Sequence, residues 1–79
     1  MRCVNAADAV EIAGLAGVDP RVYSVEGERH EALCLVASGQ TWHVFLSERG
    51  NRYEERVFDA QDDACVHFLK RLFTLTRRR

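Results

Sequence analysis

No apolar run in this 79-residue chain approaches the roughly 20 residues that a membrane helix requires. A membrane partner is therefore not expected. The opening stretch Met1 to Gly17 lacks the basic flank and continuous apolar core of a signal peptide, so the expected location is cytoplasmic. Cysteine is sparse and odd in number. Cys3, Cys34 and Cys65 show no CxxC spacing, which argues against a disulfide framework and predicts reduced thiols that bind no metal. GxSxG, P-loop and HExxH signatures are all missing, so no catalytic residue and no cofactor are assigned and the chain reads as a non-enzyme. Repeats, linkers and low-complexity segments are missing too. The expectation is a single domain over residues 1–79, in which 77–79 form a basic tail.

Acid is missing from the last ten residues. Residues 1–69 carry all twelve Asp and Glu against six Lys and Arg, whereas residues 70–79 carry five basic residues and no acid. The body is acidic and the tail basic. An acidic body disfavours nucleic acid, whose phosphates must be neutralised, and favours a cationic protein partner. Surface charge of this kind also serves solubility alone.

What the chain does contain reads as α+β. Asn5 is an N-cap type, Asp8 sits near the positive helix end, and Ala6, Ala9, Val10, Ala13 and Ala16 recur at helical spacing, predicting a helix from about Ala6 to Ala16. Gly17 suits a left-handed closing residue and Asp19-Pro20 stops continuation. Arg21 to Val25 is a short strand candidate before the charged loop Glu26 to His30. Ala32 to Ala37 and Thr41 to Ser47 are rich in β-branched and aromatic residues around Ser38-Gly39-Gln40, and a second hairpin turns at Gly50-Asn51 into Arg52 to Phe58. Asp59 is placed to cap a last helix, whose stripe is Ala64, Cys65, Phe68, Leu69, Leu72 and Leu75. The expected architecture is a four-stranded antiparallel meander between an N-terminal and a C-terminal helix, both helices on one sheet face.

Hairpin register sharpens this picture. A two-residue Gly39-Gln40 loop pairs Ser38 with Thr41 and sets Leu35 opposite Val44, so Leu33, Leu35, Ala37, Trp42, Val44 and Leu46 share the face that meets the helices. The opposite face carries Ala32, Cys34, Val36, His43, Phe45 and Ser47. A two-residue turn at Gly50-Asn51 adds Glu54, Arg56 and Phe58 to it, while a three-residue turn from Arg49 inverts that strand. Two helices cover one side of the sheet, so this mixed face is expected to meet water or a partner. Trp42 reads as core and Phe45 as an aromatic anchor, with packing in a homodimer an equally physical account of Phe45.

Pairs that resemble chemistry have plainer explanations. Cys34 lies in the apolar run Leu33-Cys34-Leu35-Val36, where a thiol is usually a packed hydrophobe and not a nucleophile for His43. Cys65 and His67 are two apart on a helix and point about 200° away from each other, which prevents chelation. Glu54 and Glu55 alternate across a strand and read as solvated charge. The helix, strands, helix order approaches that of a double-stranded RNA-binding domain, but Asp59, Asp62 and Asp63 stand where such a domain places phosphate-binding cations.

From Tyr23 to Leu72 the chain carries Tyr23-Ser24, then Glu31-Ala32-Leu33-Cys34-Leu35, then Trp42-His43-Val44-Phe45-Leu46-Ser47-Glu48-Arg49-Gly50, then Phe58, Asp63-Ala64-Cys65 and Phe68-Leu69. This pattern resembles a group of small bacterial proteins encoded beside polymorphic toxins and regarded as their immunity proteins. The resemblance implies a protein that binds and occludes a cognate toxin, of NAD glycohydrolase type for some members. Such a protein needs a preformed, electrostatically complementary surface and no catalytic site. The partner-binding residues expected on these grounds are His43, Phe45, Glu48, Arg49, Arg52, Glu54 and Arg56, with Glu28 and Glu31 from the acidic loop. The Glu48-to-Asn51 tip also serves as turn structure. The alternative is a homodimeric structural or regulatory module whose open sheet face pairs with its own copy.

Overall fold

The computed structural model describes residues 4–25 and 27–76. Helix α1 runs over Ala6–Leu15, started by Asn5, whose side chain accepts the Asp8 N–H at 2.9 Å. At its end Gly17 takes φ 78° and the Val18 N–H returns to the Ala13 carbonyl at 3.0 Å, which closes the helix as the sequence suggests. Asp19 then caps a single 3₁₀ turn, Pro20–Val22, which removes Arg21 and Val22 from the expected strand and leaves β1 as Tyr23–Ser24.

Strands β2 (Ala32–Ser38), β3 (Thr41–Glu48) and β4 (Asn51–Phe58) follow, then helix α2 (Gln61–Thr76), and the sheet order is β1-β2-β3-β4. The architecture is α+β, but the sheet is mixed. Strand β1 runs parallel to β2, with Tyr23 beside Leu33, which corrects the antiparallel meander expected from sequence. The physical cause is the connection. Two strands that run the same way cannot be joined by a tight hairpin, so the chain must travel back between them, and residues 27–31 do this across the sheet face opposite the helices.

The first hairpin has the expected register, Ser38 with Thr41 and Leu35 with Val44, and Gly39 at φ 61° suits the first position of a II′ turn. The second differs. Arg49 and Gly50 form the turn at φ 51° and 79°, so Glu48 pairs with Asn51 instead of Arg49 with Arg52. A bulge follows, because Leu46 pairs with Tyr53 but Val44 with Arg56, leaving Glu54 and Glu55 against Phe45, with Glu54 at φ 53°. The change of turn moves the pairing by two residues and leaves the facing as it was, and the bulge alone reverses the facing of the outer half of β4. Arg56 and Phe58 therefore lie on the helix side with Val44 and Trp42, and Arg52, Glu55 and Val57 share the other side with Ser47, Phe45 and His43.

The main core fills the helix side. Leu33, Leu35 and Val44 pack with Ala9 and Ala13 of α1 and with Ala64, Cys65, Phe68, Leu69 and Leu72 of α2, and Trp42 and Leu46 border them. The small residues of α1 allow its close approach, and Phe68 meets the Tyr23 ring edge-on with centroids 6.2 Å apart. The expected stripe of α2 is thus the buried one, save that Leu75 stays exposed. Among the described residues Asp59 makes no capping bond, and α2 begins with the Ala64 N–H bonded to the Ala60 carbonyl at 3.2 Å. No helix among the described residues is long and apolar enough to cross a membrane.

Candidate protein-docking surface

The second sheet face is not open. Ala32, Cys34 and Phe45 are buried there with Val36 packed against them, and Phe45 has no accessible surface. Loop residues and one arginine cover it. The Arg29 N–H approaches Cys34 Sγ at 3.5 Å, and the Arg29 guanidinium donates to the Pro20 carbonyl at 3.0 Å, which ties the loop back to the 3₁₀ turn. The Arg52 guanidinium lies 4.1 Å above the Phe45 ring, a cation–π contact that also shields the ring from water. Phe45 lies on the expected face, but as a packed residue under this cover and not as an exposed anchor.

A chain of polar groups runs over that cover. Glu28 accepts from Arg52 Nη2 at 3.1 Å and from the buried Ser47 hydroxyl at 3.4 Å. Arg52 Nη1 donates to Glu55 at 2.9 Å, Glu55 meets His43 Nδ1 at 2.8 Å, and His43 Nε2 meets the Thr41 hydroxyl at 3.1 Å. The hydrogen bond from His43 holds the Glu55 carboxyl below its ordinary range, and Arg52 adds to this in the same direction. Such a surface is fixed before any partner arrives.

Thr41, His43 and Glu55 have the order of a nucleophile, a base and an orienting acid, but their hydrogen bonds do not suit that chemistry. The Thr41 hydroxyl donates to the Ser38 carbonyl at 2.9 Å. With that proton committed, the hydroxyl has none to give His43. Neither Thr41 nor His43 lines the grooves that run along α2. The Cys34 thiol is equally unsuited, because burial raises its pKa and the thiolate is the reactive form.

The structure thus brings Glu28, Arg52 and His43 of the expected docking residues into one network, to which sequence reasoning did not assign Glu55. Its position opposite Phe45 follows from a bulge that no turn residue announces. Glu48 and Arg49 are exposed at the hairpin tip, and Glu31 is exposed at φ 60° where the loop enters β2. Glu54 and Arg56 stand apart from these on the helix side. The Glu54 carbonyl accepts from Arg71 Nη1 at 2.9 Å, and its carboxylate pairs with Arg71 Nη2 at 3.4 Å, which straps the bulge to α2.

Cys65 is disulfide-bonded and Cys34 is free. This corrects the expectation of three reduced thiols. The sequence argument relied on CxxC spacing, which says nothing about residues brought together by folding; Cys3 lies outside the described residues. The bonded Cys65 sulfur lies 3.2 Å from the Asn5 carbonyl oxygen, so it has no proton to donate and the approach is a packing contact. Disulfides persist in oxidising compartments, so this bond weighs against the cytoplasmic placement. No group of three or more His, Cys, Asp or Glu among the described residues is arranged to hold a metal ion.

No protein-family model matches the chain, and neither a curated protein nor a solved structure matches it.

Proposed function

We propose that this protein is a binding module that docks on another protein and occludes it, as the resemblance to toxin-neutralising immunity proteins implies. The docking surface is the network of Glu28, Arg52, Glu55 and His43 together with the Glu48-to-Asn51 tip and Glu31. The observation that carries this reading is the network itself. It holds four charged or polar side chains in fixed positions over a buried aromatic ring, on strands and not on a mobile loop alone. A preordered polar surface loses little side-chain freedom on association and selects partners by charge. Carboxylates predominate on it, which suits a cationic partner whose approach the acidic body accelerates.

Co-purification with the product of the adjacent gene, followed by calorimetry, tests the proposal. Glu48→Arg combined with Glu31→Lys is expected to weaken binding at least about tenfold, equal to roughly 1.4 kcal/mol, with an unchanged thermal midpoint. Both side chains are exposed and carry no packing. A neighbouring protein that binds neither form, or both forms equally well, removes the proposal.

A further inference from the structure

Behind β4 the surface has the opposite character. A groove of about 650 Å³ runs between β4 and α2, lined by Arg56, Lys70, Arg71 and His67 against Glu54 and Glu55, and Leu46 and Leu75 make its apolar end. A hollow of about 310 Å³ at Phe58, Asp63 and Val66 adjoins it across His67 and Lys70. Arg71 is engaged by Glu54, but among the described residues Arg56 and Lys70 form no ion pair. In a chain whose body is otherwise acidic, two uncommitted cations facing one groove are unusual.

Two further features mark the groove. His67 Nε2 is buried without a hydrogen-bond partner, a costly arrangement for a ring nitrogen unless something else supplies one. The β4 backbone beside it is a sheet edge, exposed from Asn51 through Val57. Exposed edges of this kind are usually blunted. Here the bulge occupies Glu54 and Glu55 and the Arg71 strap holds Glu54, but pairing is regular from Arg56 to Phe58.

We infer that the β4–α2 groove is a docking site for an acidic segment of another protein in extended conformation, which adds to the edge of β4 over Glu55 to Phe58. Backbone hydrogen bonds to the edge supply affinity, as in other cases of strand addition. Alternate side chains of the added strand turn toward the helix side. There a carboxylate lies cross-strand from Arg56, under Lys70, and within reach of the unpartnered His67 nitrogen. The site adjoins the proposed docking surface at Glu55, but its cations lie on the helix side and select the opposite charge.

The test uses the whole chain, a blocked hexapeptide of alternating Val and Glu, the same peptide with Lys in place of Glu, and inorganic phosphate. Binding is followed by backbone amide shifts and by the imidazole titration of His67. The burial of His67, with Arg71, Arg56 and Lys70 around it, lowers its pKa in the empty groove, so a carboxylate seated there is expected to move the titration up. The Val-Glu peptide is expected to shift the amides of Glu55 to Phe58 and to raise the His67 titration. Arg56→Ala with Lys70→Ala is expected to weaken it at least about tenfold while the thermal midpoint holds. Equal binding of the Lys peptide, an unchanged affinity in the double variant, or no shift at Glu55 to Phe58 overturns the inference. Phosphate that reproduces every effect of the Val-Glu peptide also overturns it, because the groove would then recognise an anion without a strand.

Discussion

Both faces of the sheet bury apolar residues but shield them from water by different means. On one face Leu33, Leu35 and Val44 are covered by the apolar stripe of α2 and the alanines of α1. On the other, Cys34 and Phe45 are covered by a loop and an arginine that hold one another through ion pairs and hydrogen bonds. Burial removes the same kind of surface from water in both places. The helix cover is itself apolar and contributes its own burial, whereas the polar cover has to keep its charges hydrated at the rim, where exposed pairs contribute little. The helix side should therefore behave as the part that holds the fold and the loop side as the part that can be altered without losing it.

The largest effect that can break this comparison comes from a matched pair of truncations. Phe68→Ala empties a space enclosed by Tyr23, two helices and the sheet, and is expected to cost about 3–5 kcal/mol in urea melts. Phe45→Ala removes the same side chain from the loop side, where Arg52 and the loop can settle into the vacated space, and is expected near the lower end of that range. Phe45→Ala costing more than Phe68→Ala would show that the loop-covered cluster is the true core.

Reduction of the disulfide at Cys65 is the next largest effect, because that residue belongs to the helix-side cluster. In a domain this small the loss is expected to be about 2–5 kcal/mol. Under denaturing conditions without reductant one thiol, Cys34, should react, and three should react after reduction. Two or three reactive thiols before reduction would disprove the bond, and the two faces would then differ less than described.

How far the sequence foretold each face follows from the same contrast. The helix side was legible because its signals are local: Asn5 and Asp8 start α1, the spacing of Ala64, Phe68, Leu69 and Leu72 sets the buried stripe of α2, and Gly39 fixes the first hairpin. The loop side was not, since three non-local events decide it. Arg49 accepts a left-handed conformation usually left to Gly or Asn, which moved the second turn by one residue. The bulge at Glu54 then reversed the facing of Arg56 and brought Glu55 beside His43. The parallel pairing of β1 sent residues 27–31 across Phe45. Of the expected docking residues, those on β3 and in the loop kept their face, and those on the outer half of β4 did not.

A smaller effect separates the faces by pH. On the helix side, burial and then Arg71, Arg56 and Lys70 lower the pKa of His67. The unfolded chain therefore binds a proton there first, and stability falls as pH drops through the ordinary histidine value near 6.5. On the loop side, Glu55 is held below its usual 4.5 by His43 and Arg52, so its contribution is present above that value and is lost as pH falls through the depressed one. Thermal melts should show two steps of acid destabilisation in that order. His67→Phe should abolish the upper step and Glu55→Gln the lower; a single step lost with either variant would mean that the faces are electrostatically coupled.

The smallest expected effect bears most directly on the polar cover. Arg52 and Glu28 have 42% and 37% of their side chains exposed, and they bridge residues 24 positions apart, so their pairing is what fastens the loop to β4. At such exposure the coupling is expected to be only about 0.2–1 kcal/mol in a double-mutant cycle of Glu28→Gln and Arg52→Met, and to shrink as salt is added. Met in place of Arg keeps an apolar stem over Phe45, so the cycle reads the charge pair with little contribution from lost packing. Amide exchange gives the independent readout. Breaking the pair should speed exchange of the Arg29 N–H, which faces Cys34, while amides of Phe68 and Leu69 keep their rates. A coupling above about 2 kcal/mol that ignores salt would place the cover among the structural parts of the fold, with as firm a hold on β4 as the helices have on β3.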